Sequence, residues 1–184
     1  MNALIFDCDG TLADTMPAHY RAWVEILRPH GIALPEARFY ALGGMPTSNI
    51  VALLFSEAGK IPDVPTLVRQ KEQAFIEKVG EIRPIEKVVE VARRGRGTSP
   101  MAVASGGQRQ LVELTLRQIG ILDWFSVLVT AEDTAKHKPE PDVFLEAARR
   151  LKAMPADCTV YEDTDLGIEA ARRAGMHWVD IRAM

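Results

Sequence analysis

Asp7 and Asp9 stand two residues apart, directly after the short apolar run Ala3-Leu4-Ile5-Phe6. In an extended segment residues i and i+2 project to the same side, so both carboxylates face one site while Cys8 turns away. Two carboxylates that close repel, and one takes up a proton unless a cation joins them. A third acid, Asp163, follows another apolar run, Thr159-Val160-Tyr161, with Glu162 beside it. Brought together, these groups supply hard oxygen donors for an octahedral ion that keeps waters and accepts a phosphate oxygen. Magnesium suits that set better than zinc, since no His or Cys cluster accompanies the acids. An EF-hand calcium loop is excluded, because counting from Asp7 puts Leu12 where the sharp-turn glycine belongs.

Two further clusters carry candidate chemistry. Ser105-Gly106-Gly107 stands between a strand pattern and a helix pattern. Its hydroxyl and free backbone N–H groups could hold phosphate oxygens at a helix N-terminus, although such turns also occur for backbone reasons alone. Lys138 precedes Pro139-Glu140-Pro141-Asp142, where proline at a helix start leaves the lysine in the loop facing the site. Its point charge would steady an aspartate nucleophile and phosphoryl oxygens, and Lys136 and His137 compete for that role on composition. Asp165 reads as a partner of the helix dipole.

The elements that must position these residues are legible as alternation. Apolar runs recur at Met101–Ala104, Val127–Thr130, Thr159–Tyr161 and Trp178–Ile181, and helical patterns at Val88–Arg94, Arg109–Ile119, Val143–Leu151 and Leu166–Ala174 fall between them. Strand alternating with helix predicts an α/β fold, a Rossmann-like parallel sheet with helices on both faces. The four polar clusters then lie at four successive strand ends, where open α/β sheets bind ligands. Residues from about Pro17 to Gly80 break the alternation and read as consecutive helices, punctuated by Pro35, Pro46, Pro62 and Pro65. The expected organisation is a core of residues 1–14 and 81–184 with a helical-bundle cap, residues 15–80, inserted after the first strand.

Composition narrows the function classes. The 184 residues are 47% hydrophobic and 26% charged, ordinary for a globular protein. A net charge of −3 supplies no footprint for nucleic acid or an acidic membrane surface. The Arg-Arg pairs at 93–94, 149–150 and 172–173 instead close helical patterns, where cations offset the negative end of the helix dipole. Two cysteines without metal-ligand spacing, and no signal-like or membrane-spanning run, favour a reduced, cytoplasmic setting.

Together these residues resemble the haloacid dehalogenase superfamily of phosphotransferases. The matching stretches are Phe6-Asp7-Cys8-Asp9-Gly10-Thr11-Leu12 with Asp14-Thr15, Ala104-Ser105-Gly106, Lys138-Pro139-x-Pro141-Asp142, and Glu162-Asp163-x-x-x-Gly167-x-x-Ala170-Ala171. The insert resembles the helical cap of the β-phosphoglucomutase-like branch. Asp14-Thr15-x-Pro17-x-His19 with Ala22-Trp23, Gly44-x-Pro46-Thr47 and His137-Lys138-Pro139 are similar to small sugar-phosphate phosphatases, including those acting on fructose 1-phosphate or 6-phosphogluconate.

The resemblance implies an Asp7 nucleophile that forms an aspartyl-phosphate, and an Asp9 that protonates the leaving alkoxide and then activates water. It implies Mg²⁺ held by the Asp7 carboxylate, the Asp9 backbone carbonyl and Asp163, with Glu162 acting through water. Thr11, Ser105 and Gly106 would bind the phosphoryl group, Lys138 would neutralise charge, and His19, Thr47 and Lys71 of the cap could approach substrate. For Lys71 a solvated helix face is the competing expectation.

Mutases of this branch carry a cap-loop arginine for a second phosphate, and Thr47 stands there, which favours a phosphatase over a mutase. A non-catalytic ligand-binding protein on the same scaffold is the alternative from another class. A dehalogenase has no use for Asp9 or the acid pair at 162–163. The expected partner is a small phosphate ester, not nucleic acid or membrane, with the chain a monomer or weak dimer.

Overall fold

The computed structural model describes residues 2–184. Five parallel strands form one sheet: β1 (Ala3–Phe6), β2 (Met101–Ala104), β3 (Val127–Val129), β4 (Cys158–Glu162) and β5 (His177–Asp180), in the spatial order β3-β2-β1-β4-β5. β1 pairs with β2 on one side and β4 on the other, so strand order reverses at β1. That switch point opens a crevice at the carboxyl ends of the strands.

Strands covered on both faces read as unbroken apolar runs, and alternate residues of β1 supply the two faces. Ala3 and Ile5 pack with Val160 against α7 (Asp142–Leu151) and α8 (Asp165–Arg173). Phe6 packs with Val103 against α5 (Glu86–Gly95) and α6 (Arg109–Gln118). The α/β expectation is borne out, with strand ends shifted by a residue: β3 stops at Val129, and the last strand runs His177–Asp180. Each Arg-Arg pair lies in the last turn of α5, α7 or α8 and reaches back one turn to Glu90, Glu146 or Glu169.

Between β1 and α5 the chain forms α1 (Met16–Leu27), α2 (Glu36–Ala41), α3 (Thr47–Glu57) and α4 (Val64–Ile76). Pro35 and Pro46 immediately precede α2 and α3, and Pro65 lies in the first turn of α4, whose Asp63 cap accepts from the Thr66 N–H at 3.2 Å. The helices share a core of Trp23, Leu27, Phe39, Leu54, Phe55 and Phe75 that continues onto Leu111 of α6. The chain leaves β1 and returns to α5 through neighbouring threads: the Asp14 N–H donates to the Arg83 carbonyl at 2.9 Å, and Ala13 bridges Pro84.

Candidate active site

β1 delivers the acid pair as the sequence predicts. The Asp7 N–H still donates to Tyr161 of β4 at 3.0 Å, after which the chain turns, with the Leu12 and Ala13 N–H groups donating to the Cys8 carbonyl. Asp7 and Asp9 line a cavity of about 420 Å³ between the strand ends and the helices α1–α4. Cys8 points the other way, buried between Phe6 and Leu12.

The competition among the 136–138 basic residues is resolved by geometry. Lys138 is buried, with its ammonium 2.6 Å from Asp7 Oδ1 and 2.6 Å from Glu162 Oε1. His137 lines the cavity and Lys136 is exposed. Burial disfavours the charge on Lys138, but the two carboxylates outweigh it and hold the amine protonated far above neutral pH. Burial also drives the Asp7 carboxyl up; Lys138 opposes that, while Glu162, Asp163 and Asp9 add to the rise.

Glu162 is fixed from both ends. Its Oε2 accepts from the Thr164 N–H at 2.6 Å and hydroxyl at 2.9 Å, and the Thr164 hydroxyl itself accepts from the Gly167 N–H. Both Glu162 oxygens therefore have direct partners, and its first role in this arrangement is as counter-ion of Lys138.

Asp163 presents Oδ1 to the Thr11 hydroxyl at 2.7 Å. Burial and then Glu162 push its carboxyl up to about 6, against the opposing Thr11 hydrogen bond and Lys138. Asp7, Glu162 and Asp163 thus crowd a single ammonium, an arrangement that, with all three acids ionised, is two positive charges short of balance. A divalent cation among Asp7 and Asp163 would supply that charge, and the donors are all oxygen, as magnesium prefers. Among the described residues no three His, Cys, Asp or Glu side chains gather into a metal cluster. The implied ligand set is compatible with this, because it takes two side-chain carboxylates and a backbone carbonyl. Space for it depends on Gly10: at φ +83° it turns the chain under Asp163, and a Cβ there would lie 2.9 Å from Asp163 Cγ.

The Asp9 carboxylate is held by helices α1 and α4. His19 Nε2 lies 3.3 Å from Asp9 Oδ1, and Lys71 Nζ lies 2.8 Å from His19 Nδ1. An ammonium can only donate, so His19 Nδ1 accepts and Nε2 carries the proton that it gives to Asp9. Burial raises the Asp9 carboxyl, but the His19 bond and the nearby Lys71 outweigh burial and hold it below the usual range. Burial lowers His19, helped by Lys71. Lys71 is only 4% exposed, which overturns the solvated-face expectation. Its amine, brought down to about 8 by burial against the pull of Asp9, lies over the rings of Trp23 and Phe75. His19 stacks on Phe75 at 4.0 Å between centroids. The sequence assigns no supporting role to Phe75, and Trp23 enters there only in the Ala22-Trp23 stretch of the resemblance.

Ser105 is buried at the end of β2, and its Oγ accepts from the Gly107 N–H at 2.9 Å, leaving the O–H to donate. The Gly106 N–H has no hydrogen-bond partner among the described residues. A Cβ at Gly107 would lie 3.3 Å from Asp9 Oδ2, so the loop closes directly over the acid pair. One feature of this loop is absent from the sequence reading: Glu132 accepts from the Arg109 N–H with both oxygens, at 3.0 and 3.1 Å, and so occupies part of the α6 N-terminus. Ser105 and Gly106 remain as donors for a phosphate. Thr47 lines the cavity from α3, beside the loop at Gly43 and Gly44 that packs on Thr164 and Leu166.

Comparisons with known proteins identify the family. Residues 4–181 match the family described as haloacid dehalogenase-like hydrolase. The chain is 37% identical over 182 residues to the fructose-1-phosphate phosphatase YqaB of Escherichia coli K12, covering 98% of this chain and 96% of that one. It is 27% identical to the β-phosphoglucomutase of Bacillus subtilis 168, over 98% of this chain and 83% of that one. Among solved structures, CbbY from Rhodobacter sphaeroides in complex with phosphate superposes with a TM-score of 0.87 at 25% identity, covering 97% of this chain and 85% of that one. The chain belongs to the haloacid dehalogenase-like hydrolases, as a phosphatase of their β-phosphoglucomutase-like branch.

Proposed function

We propose that the protein is a Mg²⁺-dependent phosphatase that hydrolyses a small sugar or polyol phosphate monoester through an aspartyl-phosphate on Asp7. The observation that carries this reading is the pairing of Asp7 with Lys138 at 2.6 Å, at the floor of a cavity that also receives Asp9, Ser105 and Gly106. Lys138 fixes one oxygen of Asp7, so the nucleophile is oriented before substrate arrives. Ser105 and Gly106 would hold the phosphoryl oxygens. The Asp7 and Asp163 carboxylates and the Asp9 carbonyl would hold Mg²⁺, which when bound supplies charge to the transferring phosphoryl group.

Asp9, ionised in the free protein, would take up a proton from solvent as substrate binds, give it to the leaving alkoxide and then draw one from the attacking water, with His19 as its hydrogen-bond partner. Residues 15–80 act in this reading as a cap over a core of residues 1–14 and 81–184, enclosing the reaction. The relative named for fructose 1-phosphate supports a phosphorylated carbohydrate as substrate. Thr47 at the cavity wall, where no arginine lies among the described residues, favours hydrolysis over transfer between two phosphates of one sugar. The buried free thiols of Cys8 and Cys158 support a reducing compartment such as the cytoplasm.

The test is phosphate release from fructose 1-phosphate and glucitol 6-phosphate with Mg²⁺, combined with acid quenching after brief exposure to ³²P-labelled substrate. Label should remain on the wild-type protein and be missing from Asp7→Asn. Turnover without any labelled protein, or label retained in Asp7→Asn, would sink the covalent route.

A further inference from the structure

Glu72 follows Lys71 on α4 and lines the same cavity, and its role is not explained by the chemistry above. Its Oε1 is shut off from solvent and has no hydrogen-bond partner among the described residues. A buried acceptor without a partner is unfavourable. Glu132 lines the cavity as well, held in place by the α6 N-terminus. Burial raises the Glu72 carboxyl, Lys71 opposes this, and Glu132 adds to it, as expected of two acids within electrostatic reach across the space between α4 and the core.

The cations of the cavity are already engaged. Lys71 donates to His19, Lys138 is shared by Asp7 and Glu162, and no arginine lines the cavity among the described residues. The space beyond the phosphoryl position therefore presents an acceptor in need of donors and has no free lysine or arginine for a second anion, His137 being the one basic side chain in the lining outside those pairs among the described residues.

Building on the phosphatase reading, we infer that Glu72 is a specificity-determining residue. Opposite the fixed Glu132, it selects phosphate monoesters whose far end is neutral and rich in hydroxyls and rejects those carrying a carboxylate or a second phosphate. A hydroxyl donates to the Glu72 oxygen and satisfies it; an anion placed there meets two carboxylates and loses hydration without gaining a partner. The device works by exclusion as much as by attraction.

D-Glucitol 6-phosphate and 6-phosphogluconate share a six-carbon polyhydroxylated chain and differ at the far carbon, hydroxymethyl in one and carboxylate in the other. Both are titrated calorimetrically into Mg²⁺-loaded Asp7→Asn protein, so that affinity is read without turnover. The neutral ligand should bind at least about tenfold more tightly. Adding Glu72→Gln should narrow the ratio by about threefold or more, and Glu72→Ala gives a second reading of the same ratio. Because only ratios are compared, a general loss of affinity cancels. A starting ratio below tenfold, a ratio that both substitutions leave unchanged, or binding of neither ligand overturns the inference. A preserved ratio alongside absent phosphate release overturns the phosphatase reading alone.

Discussion

Gly167 faces the Glu162 carboxylate so closely that a Cβ at that position would overlap it, with even the farther oxygen, Oε2, only 2.6 Å away. The other oxygen holds Lys138. A methyl group on α8 would thus act on Asp7 by displacing the lysine's counter-ion. Gly167→Ala is expected to lower kcat by about ten- to a hundredfold, with its far-ultraviolet circular dichroism unchanged. A variant with wild-type kcat would show that Glu162 does not position Lys138.

Asp7→Asn should reduce phosphate release from an aryl phosphate by roughly 10³-fold or more. Its thermal midpoint should not fall, since the substitution removes one of the carboxylates crowded around Lys138. A variant retaining a tenth of the activity would exclude Asp7 as nucleophile.

Removing the lysine should have the opposite effect on stability. Lys138→Met leaves Asp7 and Glu162 buried without their partner, and breaking such a pair costs about 3–5 kcal/mol. Urea denaturation should show that loss, and the double change with Glu162→Gln should recover part of it. Equal midpoints for the single and double variants would disprove the coupling.

Metal binding should be most visible where Asp163 is ionised. Its folded-state pKa, about 6, lies above the unfolded value of about 3.9. The folded protein therefore binds that proton more tightly, and the stabilisation from it is complete below the unfolded pKa and lost as pH rises through about 6. The metal-free protein should weaken over that window. Mg²⁺, which competes for the same carboxylate, should raise the thermal midpoint more at pH 7 than at pH 5, and a chelator should abolish both that shift and turnover. Gly10→Ala, which crowds Asp163, should weaken the apparent Mg²⁺ affinity. A magnesium shift equal at the two pH values would contradict the assignment of Asp163 as a ligand.

The Lys71–His19–Asp9 series should set the alkaline limit of activity. Lys71, brought down to about 8, holds a positive charge beside His19 and Asp9 only while protonated, so kcat/KM should fall as pH rises through that value. Lys71→Met should be less active at pH 7 and lose that alkaline limb. If the limb persists in the variant, it belongs to another group.

The parallel sheet and four site clusters could be read from sequence because strands buried on both faces form uninterrupted apolar runs, each ending abruptly in polar residues. Asp7, Ser105 and Glu162 mark such ends, and Lys138 lies in the loop that follows β3. Lys71 was not legible in this way. Its sequence neighbours permit a solvated face, and its burial depends on Trp23 from another helix and on the charge of Asp9 from β1, both tertiary facts. Glu132 was hidden for a similar reason: the helix N-terminus it caps belongs to an element 23 residues earlier in the chain. The position of β1 in the middle of the sheet is likewise decided by pairing with strands far away in sequence.

The paired threads at Asp14 and Arg83 have a consequence for how such a molecule can be altered. Because both crossing points lie side by side, joined by two backbone hydrogen bonds, from the Asp14 N–H to the Arg83 carbonyl and from the Ile85 N–H to the Leu12 carbonyl, the intervening helices form a loop with nearly coincident ends. Exchange of that loop for another of different shape leaves the register of the sheet undisturbed. The sheet and the Asp7–Lys138 pair can therefore stay fixed while the helices change, but Asp9 keeps its partners only in an exchange that preserves His19 and Lys71.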